Sequence, residues 1–298
     1  MQYMTIPAIG VFREGRANSG DLWLAVFDGE RWLADVEVPK TGISHSPGPV
    51  EFQGGLYVFH GGQENSGDLW YDWVSSKFDW AGDRPVPSEA GLSFGPSATV
   101  FRDKIYVFRE GRVKSGKLWY MVFDGQTWEA DRQVPDTGIT GDPSAVVYRE
   151  KLYVFHCGAS NGWLRYNVFD GSRWSGDIGI NPGVGLSAGP SAVVYQDRIF
   201  VFHQGRSDSG ELWYSVFDGQ SWAKDRKLEG TQISGRPGAV VFEDRLYVFH
   251  QSGGNKGWLW WNVYNGKNWA GDRKASPEVG ISKGPSPVVS LFKVPLPS

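Results

Sequence analysis

The chain has 298 residues, of which 40% are apolar, and a formal net charge of −3 with a pI near 6. This charge, without any run of lysine or arginine, gives no electrostatic reason to expect a nucleic acid or an anionic membrane as partner. The one cysteine, Cys157, excludes an intramolecular disulfide and a zinc site built from several cysteines.

No apolar segment approaches the length of a membrane span, and the first twenty residues lack a basic stretch followed by an apolar one. The sequence therefore predicts no membrane insertion. It predicts a cytoplasmic protein, or one released without a Sec-type leader.

A repeat of about 47 residues recurs six times along the chain. A phenylalanine closes a Val-Phe pair in each copy, and a W-x-x-D element follows in step. The phenylalanines are Phe12, Phe59, Phe108, Phe155, Phe202 and Phe249. The W-x-x-D pairs are Trp32/Asp35, Trp80/Asp83, Trp128/Asp131, Trp174/Asp177, Trp222/Asp225 and Trp269/Asp272.

The fifth repeat illustrates the predicted elements in chain order. Residues 190–195 form an apolar first strand, and residues 198–203 form a second strand that is apolar on both faces. Residues 212–217 form the third strand, and Asp218-Gly219 is the strongest two-residue hairpin signal. The fourth strand carries the W-x-x-D element. Four short antiparallel strands, apolar on both faces, are typical of a propeller blade packed between two neighbours.

The two ends of the chain predict how the ring closes. Residues 284–289 read as a first strand with no blade after them, and residues 8–12 read as a second strand. The C-terminal strand should therefore pair into the N-terminal blade, which removes two exposed sheet edges. The predicted fold is an all-β, six-bladed β-propeller with four antiparallel strands per blade, as a single domain over residues 1–298.

The repeat grammar resembles two groups of propellers. It is similar to the kelch repeat, although the kelch diglycine is present only at Gly61-Gly62. It also resembles the bacterial six- and seven-bladed lectins of the fucose and galactose type, through Arg109-Glu110-Gly111 and Leu118-Trp119. In those lectins sugars bind in clefts between blades, against an aromatic face and a few polar side chains, and the resemblance implies the same here.

The odd-numbered repeats carry a candidate ligand site that the even-numbered ones lack. Its predicted members are Glu14, Arg16, Trp23, Glu110, Arg112, Trp119, Gln204, Arg206 and Trp213. Residues two apart on a strand share a face, so the Glu or Gln acceptor and the arginine should point the same way. The tryptophan would stack on a sugar. The alternative is that Glu–Arg pairs secure neighbouring blades.

Two other recurring positions are interpreted as structural. The residue after each phenylalanine is Arg13, His60, Arg109, His156, His203 or His250. Equivalent positions spread around a ring cannot converge on one ion, so no metal or cofactor is predicted. These side chains should instead hydrogen-bond between blades. The W-x-x-D tryptophan should wedge between blades, and its aspartate should cap a turn.

Six near-equivalent repeats favour a multivalent carbohydrate-binding lectin, because weak sites on a rigid ring gain avidity. A retaining glycosidase needs a unique pair of carboxylates about 5 Å apart, and nearly every acidic residue here has a counterpart in another repeat. No enzymatic activity is therefore predicted. A kelch-like protein-interaction scaffold is the alternative, and a sialidase-like glycoside hydrolase is less favoured. The predicted partners are glycans or glycoproteins, and oligomerisation stays open.

Overall fold

A computed structural model describes residues 3–74, 80–180 and 183–295. Apart from two single 3-10 turns, Gln63–Asn65 and Gly253–Asn255, its regular elements are β-strands. The part of the chain that the structure describes contains no helix that is long and apolar enough to cross a membrane.

The strands in chain order are β1 (Tyr3–Glu14), β2 (Asp21–Phe27), β3 (Trp32–Gly42), β4 (Gly48–Phe52), β5 (Gly55–Gly61), β6 (Leu69–Val74), β7 (Arg84–Pro85), β8 (Ser97–Phe101), β9 (Lys104–Glu110), β10 (Lys117–Phe123), β11 (Arg132–Tyr148), β12 (Lys151–Gly158), β13 (Leu164–Phe169), β14 (Ile178–Gly179), β15 (Ser191–Tyr195), β16 (Arg198–Gln204), β17 (Glu211–Phe217), β18 (Arg226–Gln232), β19 (Gly238–Phe242), β20 (Arg245–Gln251), β21 (Leu259–Tyr264), β22 (Arg273–Lys274) and β23 (Ser286–Pro295).

Antiparallel four-stranded sheets make up a β-propeller. The second, fifth and sixth repeats each form one sheet, with strand orders β4-β5-β6-β7, β15-β16-β17-β18 and β19-β20-β21-β22. The third and fourth repeats share a seven-stranded sheet, because β11 runs without a break from the last strand of one to the first strand of the next. The expectation of a separate four-stranded sheet for every repeat is therefore wrong at this point.

The two ends of the chain meet in the first repeat. Its sheet has the order β23-β1-β2-β3, and β23 pairs with β1 from Tyr3 opposite Pro295 to Phe12 opposite Ser286. The predicted pairing of the C-terminal strand into the N-terminal blade is confirmed. First strands of neighbouring repeats contact one another around the ring, including β23 with β4 and with β19. The first strands therefore face the propeller axis.

The W-x-x-D tryptophans pack between repeats. Each indole meets, edge to face, the buried phenylalanine on the second strand of the preceding repeat, at centroid distances of 5.9 to 6.1 Å. The pairs are Trp32–Phe249, Trp80–Phe12, Trp128–Phe59, Trp174–Phe108, Trp222–Phe155 and Trp269–Phe202. Edge-to-face contact is a preferred geometry for aromatic pairs. The predicted wedge is confirmed, and the Trp32–Phe249 contact links the first repeat to the sixth.

The Asp-Gly hairpins have longer loops than the two residues predicted. Phe217 pairs with Trp222 across a loop of residues 218–221. The Asp218 carboxylate accepts hydrogen bonds from the backbone N–H groups of Gln220 and Ser221, at 2.8 and 2.7 Å. These bonds stabilise an Asx-type turn, so the aspartate determines the loop conformation.

Candidate functional site

The W-x-x-D aspartates pair across their own sheet. Each accepts a hydrogen bond from the residue that follows the phenylalanine of the same repeat. The pairs are Arg13–Asp35, His60–Asp83, Arg109–Asp131, His156–Asp177, His203–Asp225 and His250–Asp272. This pairing, and not the predicted turn cap, is what the six aspartates share; Asp131 does in addition accept from the loop N–H of Ala90 at 2.9 Å. The physical reason is that the arginine or histidine is buried in every repeat, and a buried polar group needs a partner.

Among the residues that the structure describes, only the arginines at this position form the predicted hydrogen bond between blades. Arg13 Nε donates to Gly280 O of the sixth repeat at 2.7 Å, and Arg109 Nε donates to Gly91 O of the second repeat at 2.9 Å. The histidines bond to the aspartate of their own repeat through Nε2, with Nδ1 near their own following carbonyl. An imidazole is too short to reach the neighbouring repeat as well, so the prediction is wrong for the four histidines.

The predicted acceptors Glu14, Glu110 and Gln204 are buried and hold loop backbone. Glu14 Oε1 accepts from Gly20 N at 3.1 Å, and Gln204 Oε1 accepts from Gly235 N at 2.6 Å. The strands β1, β9 and β16 end at these three residues, so the arginine two positions later lies beyond each strand. The expectation that acceptor and arginine share one strand face is therefore wrong.

Glu110 provides a pH-dependent test of this structural role. Its two carboxylate oxygens accept from Gly116 N at 3.1 Å and Gly141 N at 3.0 Å. Burial raises the pKa of Glu110, and those two backbone donors offset part of the rise. Since the folded protein then binds the proton more tightly than the unfolded chain, stability falls as the pH rises from the ordinary carboxyl pKa through the folded value.

We expect Glu110→Gln to remove this pH dependence, because Gln204 occupies the equivalent place without a charge. Urea unfolding across the acidic range would measure it, and Gln204→Glu should introduce the same dependence. Glu110→Ala should cost about 1–3 kcal/mol by leaving two N–H groups without acceptors. Equal pH slopes for Glu110→Gln and wild type would contradict this assignment.

The three predicted arginines are exposed, and each reaches toward the preceding repeat. The Arg16 guanidinium lies over the Trp258 ring at 4.2 Å, and Lys274 Nζ lies 4.5 Å from the same ring. Arg112 donates to Gly67 O and forms an ion pair with Asp68 at 2.6 Å. Arg16 and Arg112 are therefore already engaged.

Arg206 differs from its two counterparts. Its side chain packs over Gly185. Among the residues that the structure describes, it forms neither an ion pair, as Arg112 does, nor a contact with the face of an aromatic ring, as Arg16 does, and it makes no hydrogen bond. Guanidinium donors that no protein group occupies are available to a ligand.

The predicted tryptophans are half-buried on the third strands. Trp23, Trp119 and Trp213 lie opposite Arg13, Arg109 and His203. In each case the glycine immediately before the exposed arginine lets the loop approach the indole; a Cβ at Gly205 would lie 3.1 Å from Trp213 Nε1. One edge of each ring is thus covered by its own loop.

A cleft between the fourth and fifth repeats brings Arg206 and Trp213 together. It has a volume of about 610 Å³, and Glu211, Lys224 and Asp225 also line it. Trp213 Nε1 donates to Glu211 Oε2 at 3.2 Å, which fixes the indole. The predicted Gln204 does not line this cleft.

Sequence reasoning missed Glu211, Lys224 and Asp225 as cleft residues. A signal for Lys224 exists, because it is the one lysine at the third position of the W-x-x-D elements, where the other repeats have alanine or glycine. A departure from the repeat at a solvent-facing position indicates a local function.

Two further clefts lie between other repeats. Trp119 and Asp131 line one of about 370 Å³ between the second and third repeats, without Arg112. Another of about 480 Å³ between the first and second repeats contains Trp70 and Lys40. The sequence pattern did not indicate the cleft with Trp70 and Lys40, because the second repeat lacks the arginine.

No protein-family model matches the chain, and no curated protein is similar to it in sequence. Solved structures are similar in fold. A triple arginine-to-alanine mutant of AofleA from Arthrobotrys oligospora aligns with a TM-score of 0.68 at 12% identity, over 97% of this chain and 92% of that one. A mutant of the Aleuria aurantia lectin in complex with α-methyl-L-fucoside aligns with a TM-score of 0.63 at 14% identity, over 93% and 96%.

The structure of Aleuria aurantia lectin described as a six-bladed β-propeller with a novel fucose recognition mode aligns with a TM-score of 0.61 at 14% identity, over 89% of each chain. At these identities the likeness shows the fold alone, and that fold is a β-propeller.

Proposed function

We propose that this chain is a non-enzymatic lectin whose principal sugar site is the cleft between the fourth and fifth repeats. The observation that carries the proposal is the pairing of an unengaged Arg206 with the half-buried Trp213 in one cavity of about 610 Å³. This combination is absent at Arg16, which is stacked on Trp258, and at Arg112, which is paired with Asp68.

The chemistry of the cleft suits a monosaccharide. The exposed part of the Trp213 ring offers an apolar surface to the C–H face of a sugar, and Arg206 offers planar donors to adjacent hydroxyls. Asp225 and Glu211 supply acceptors on the same wall. A mostly apolar cleft with a few fixed polar groups is the usual form of a small-molecule site.

The structural neighbours agree with this choice of ligand. Aleuria aurantia lectin has been crystallised with Fucα1-6GlcNAc and with α-methyl-L-fucoside, and these ligands make fucosides the first sugars to test here.

We further propose that the ring is one domain of six blades. Four sheets each hold one repeat, and the seven-stranded sheet holds two. Six blades would place the arginines in every second gap between blades, which allows up to three sites. Their different environments support one principal site with two weaker ones.

The absence of catalysis is also part of the proposal. Asp142 is the single carboxylate among the described residues that line the cavity on the propeller axis. A retaining glycosidase requires two carboxylates flanking the scissile bond. The axial cavity therefore lacks the arrangement that hydrolysis would need.

We expect Arg206→Ala and Trp213→Ala each to weaken glycan binding about tenfold or more, because each removes a direct sugar contact. A glycan array followed by competition with free monosaccharides would measure this. Arg206→Ala should leave stability within about 0.5 kcal/mol of wild type, as for other surface substitutions.

Arg173→Ala is the matched control, since Arg173 is an exposed arginine in a hairpin loop away from the cleft. Unchanged glycan binding by Arg206→Ala and Trp213→Ala would exclude this cleft. No glycan binding by the wild-type protein would exclude the lectin function and favour the scaffold alternative.

A further inference from the structure

A cavity of about 520 Å³ lies on the propeller axis, independent of the cleft proposed for sugar. The segments that precede the first strands of all six repeats line it. Because the first strands face the axis, equivalent residues of the six repeats meet in this cavity. A residue that differs between repeats therefore changes the lining of one shared cavity.

The residue just before the proline at the start of each first strand is a glycine in every second repeat around this cavity and a polar residue in the others. In ring order these residues are Ser46, Gly95, Asp142, Gly189, Arg236 and Gly284. The glycines leave room for their neighbours, because a Cβ at Gly189 would lie 2.7 Å from Asp142 Cβ and one at Gly284 would lie 2.8 Å from Arg236 Cβ. Three different polar side chains thus share the axis.

Arg236 is buried without adequate partners. It is 9% exposed, and its Nε and Nη1 have no hydrogen-bond acceptor among the residues that the structure describes. The nearest carboxylate oxygen, Asp142 Oδ2, is 3.9 Å from Nη1, beyond hydrogen-bond distance. Asp142 Oδ1 accepts from Gly95 N at 2.5 Å instead. A buried charge whose donors lack acceptors lowers the stability of a protein, so Arg236 is present at a cost in folding free energy.

The remaining charged lining of the cavity favours an anion. Lys283 lies on its wall, with Nζ 3.9 Å from Glu14 Oε2. Burial lowers the pKa of His45, an effect that Asp142 opposes and Lys283 reinforces. Among the residues that line the cavity, the cations Arg236 and Lys283 outnumber the single carboxylate of Asp142, so the lining carries a net positive charge.

We propose that the axial cavity binds a small oxyanion, either a carboxylate or an inorganic anion such as sulfate, through Arg236 with Ser46 and Lys283 beside it. A planar guanidinium bonds two oxygens of such an anion at once, which a point charge cannot do. The anion accepts hydrogen bonds from the Nε and Nη1 donors that Asp142, at 3.9 Å, leaves unsatisfied. This site requires neither Arg206 nor Trp213.

The test uses calorimetric titration and thermal shifts with sodium sulfate and sodium acetate, neither of which is a sugar, at ionic strength balanced with sodium chloride. Wild type and Arg206→Ala should bind and be stabilised equally. Arg236→Met, which keeps an unbranched apolar side chain without the guanidinium charge, should bind about tenfold or more weakly. Preference for acetate would identify an organic carboxylate as the ligand, and preference for sulfate an inorganic anion.

Asp142→Asn is a second variant that tests the proposal even if Arg236→Met does not fold. It keeps an oxygen for Gly95 N and removes the competing carboxylate, so anion binding should strengthen. Equal shifts in wild type and Arg236→Met, no response of wild type to either anion, or weaker binding by Asp142→Asn would overturn the proposal. Because the probes and the control separate the two sites, failure here leaves the sugar cleft untouched.

Discussion

Deleting β23 by ending the chain at residue 285 should abolish the cooperative folding of the whole ring. The deletion removes the strand that pairs with β1 over its length and that contacts β4 and β19 on either side. It also exposes the edge of β1, and an unpaired edge promotes aggregation. Thermal melting by circular dichroism and sedimentation of the truncated chain would measure the loss.

Neighbouring residues on β23 provide a matched control. Phe292 is 4% exposed and packs over Gly10, where a Cβ would lie 2.3 Å from the Phe292 ring, whereas Leu291 is 56% exposed. We expect Phe292→Ala to cost about 3–5 kcal/mol and Leu291→Ala about 0.5 kcal/mol or less. A truncated chain that melts cooperatively at the wild-type temperature would show that ring closure does not stabilise the fold.

Asp131→Ala should destabilise the protein by about 3–5 kcal/mol, because it leaves Arg109 as an unpaired buried charge. Arg109 is fully buried, and Asp131 is 7% exposed. Asp131 Oδ2 also accepts from Ser88 Oγ and Ala90 N of the second repeat, both at 2.9 Å. The substitution therefore removes a contact between repeats together with a counter-ion. Urea unfolding would give the change in free energy.

The equivalent substitution in the second repeat, Asp83→Ala, should cost less. Its partner His60 is an imidazole with a hydrogen bond to Asp83, whereas Arg109 carries a permanent charge that Asp131 compensates. Adding Arg109→Met to Asp131→Ala should recover much of the lost stability, because it removes the buried arginine charge that Asp131→Ala leaves without a partner. Equal costs for Asp131→Ala and Asp83→Ala, with no recovery in the double variant, would contradict this explanation.

Two features were predictable from the repeat pattern of the sequence. The tryptophan wedge and the pairing of β23 with β1 follow from the period and from incomplete repeats at the two ends. Features that depend on where a strand ends were not predictable in this way. Glu14 turns into its own loop because β1 stops there, so it separates from Arg16 although the two are close in sequence.

The difference between the three arginines also required three-dimensional information. Their environments are set by the preceding repeat, which presents Trp258 to Arg16, Asp68 to Arg112 and Gly185 to Arg206. Inside one repeat the three positions look alike. The axial residues were overlooked for a related reason, because Ser46, Asp142 and Arg236 are far apart in sequence and meet only when the ring closes.

The most direct test of the central claim is a crystal structure of the protein soaked with α-methyl-L-fucoside and other monosaccharides. We predict electron density for a sugar between the Trp213 ring and the Arg206 guanidinium, in the cleft between the fourth and fifth repeats. A sugar bound only in the axial cavity against Asp142, or an empty cleft in a protein that binds glycans in solution, would contradict the account.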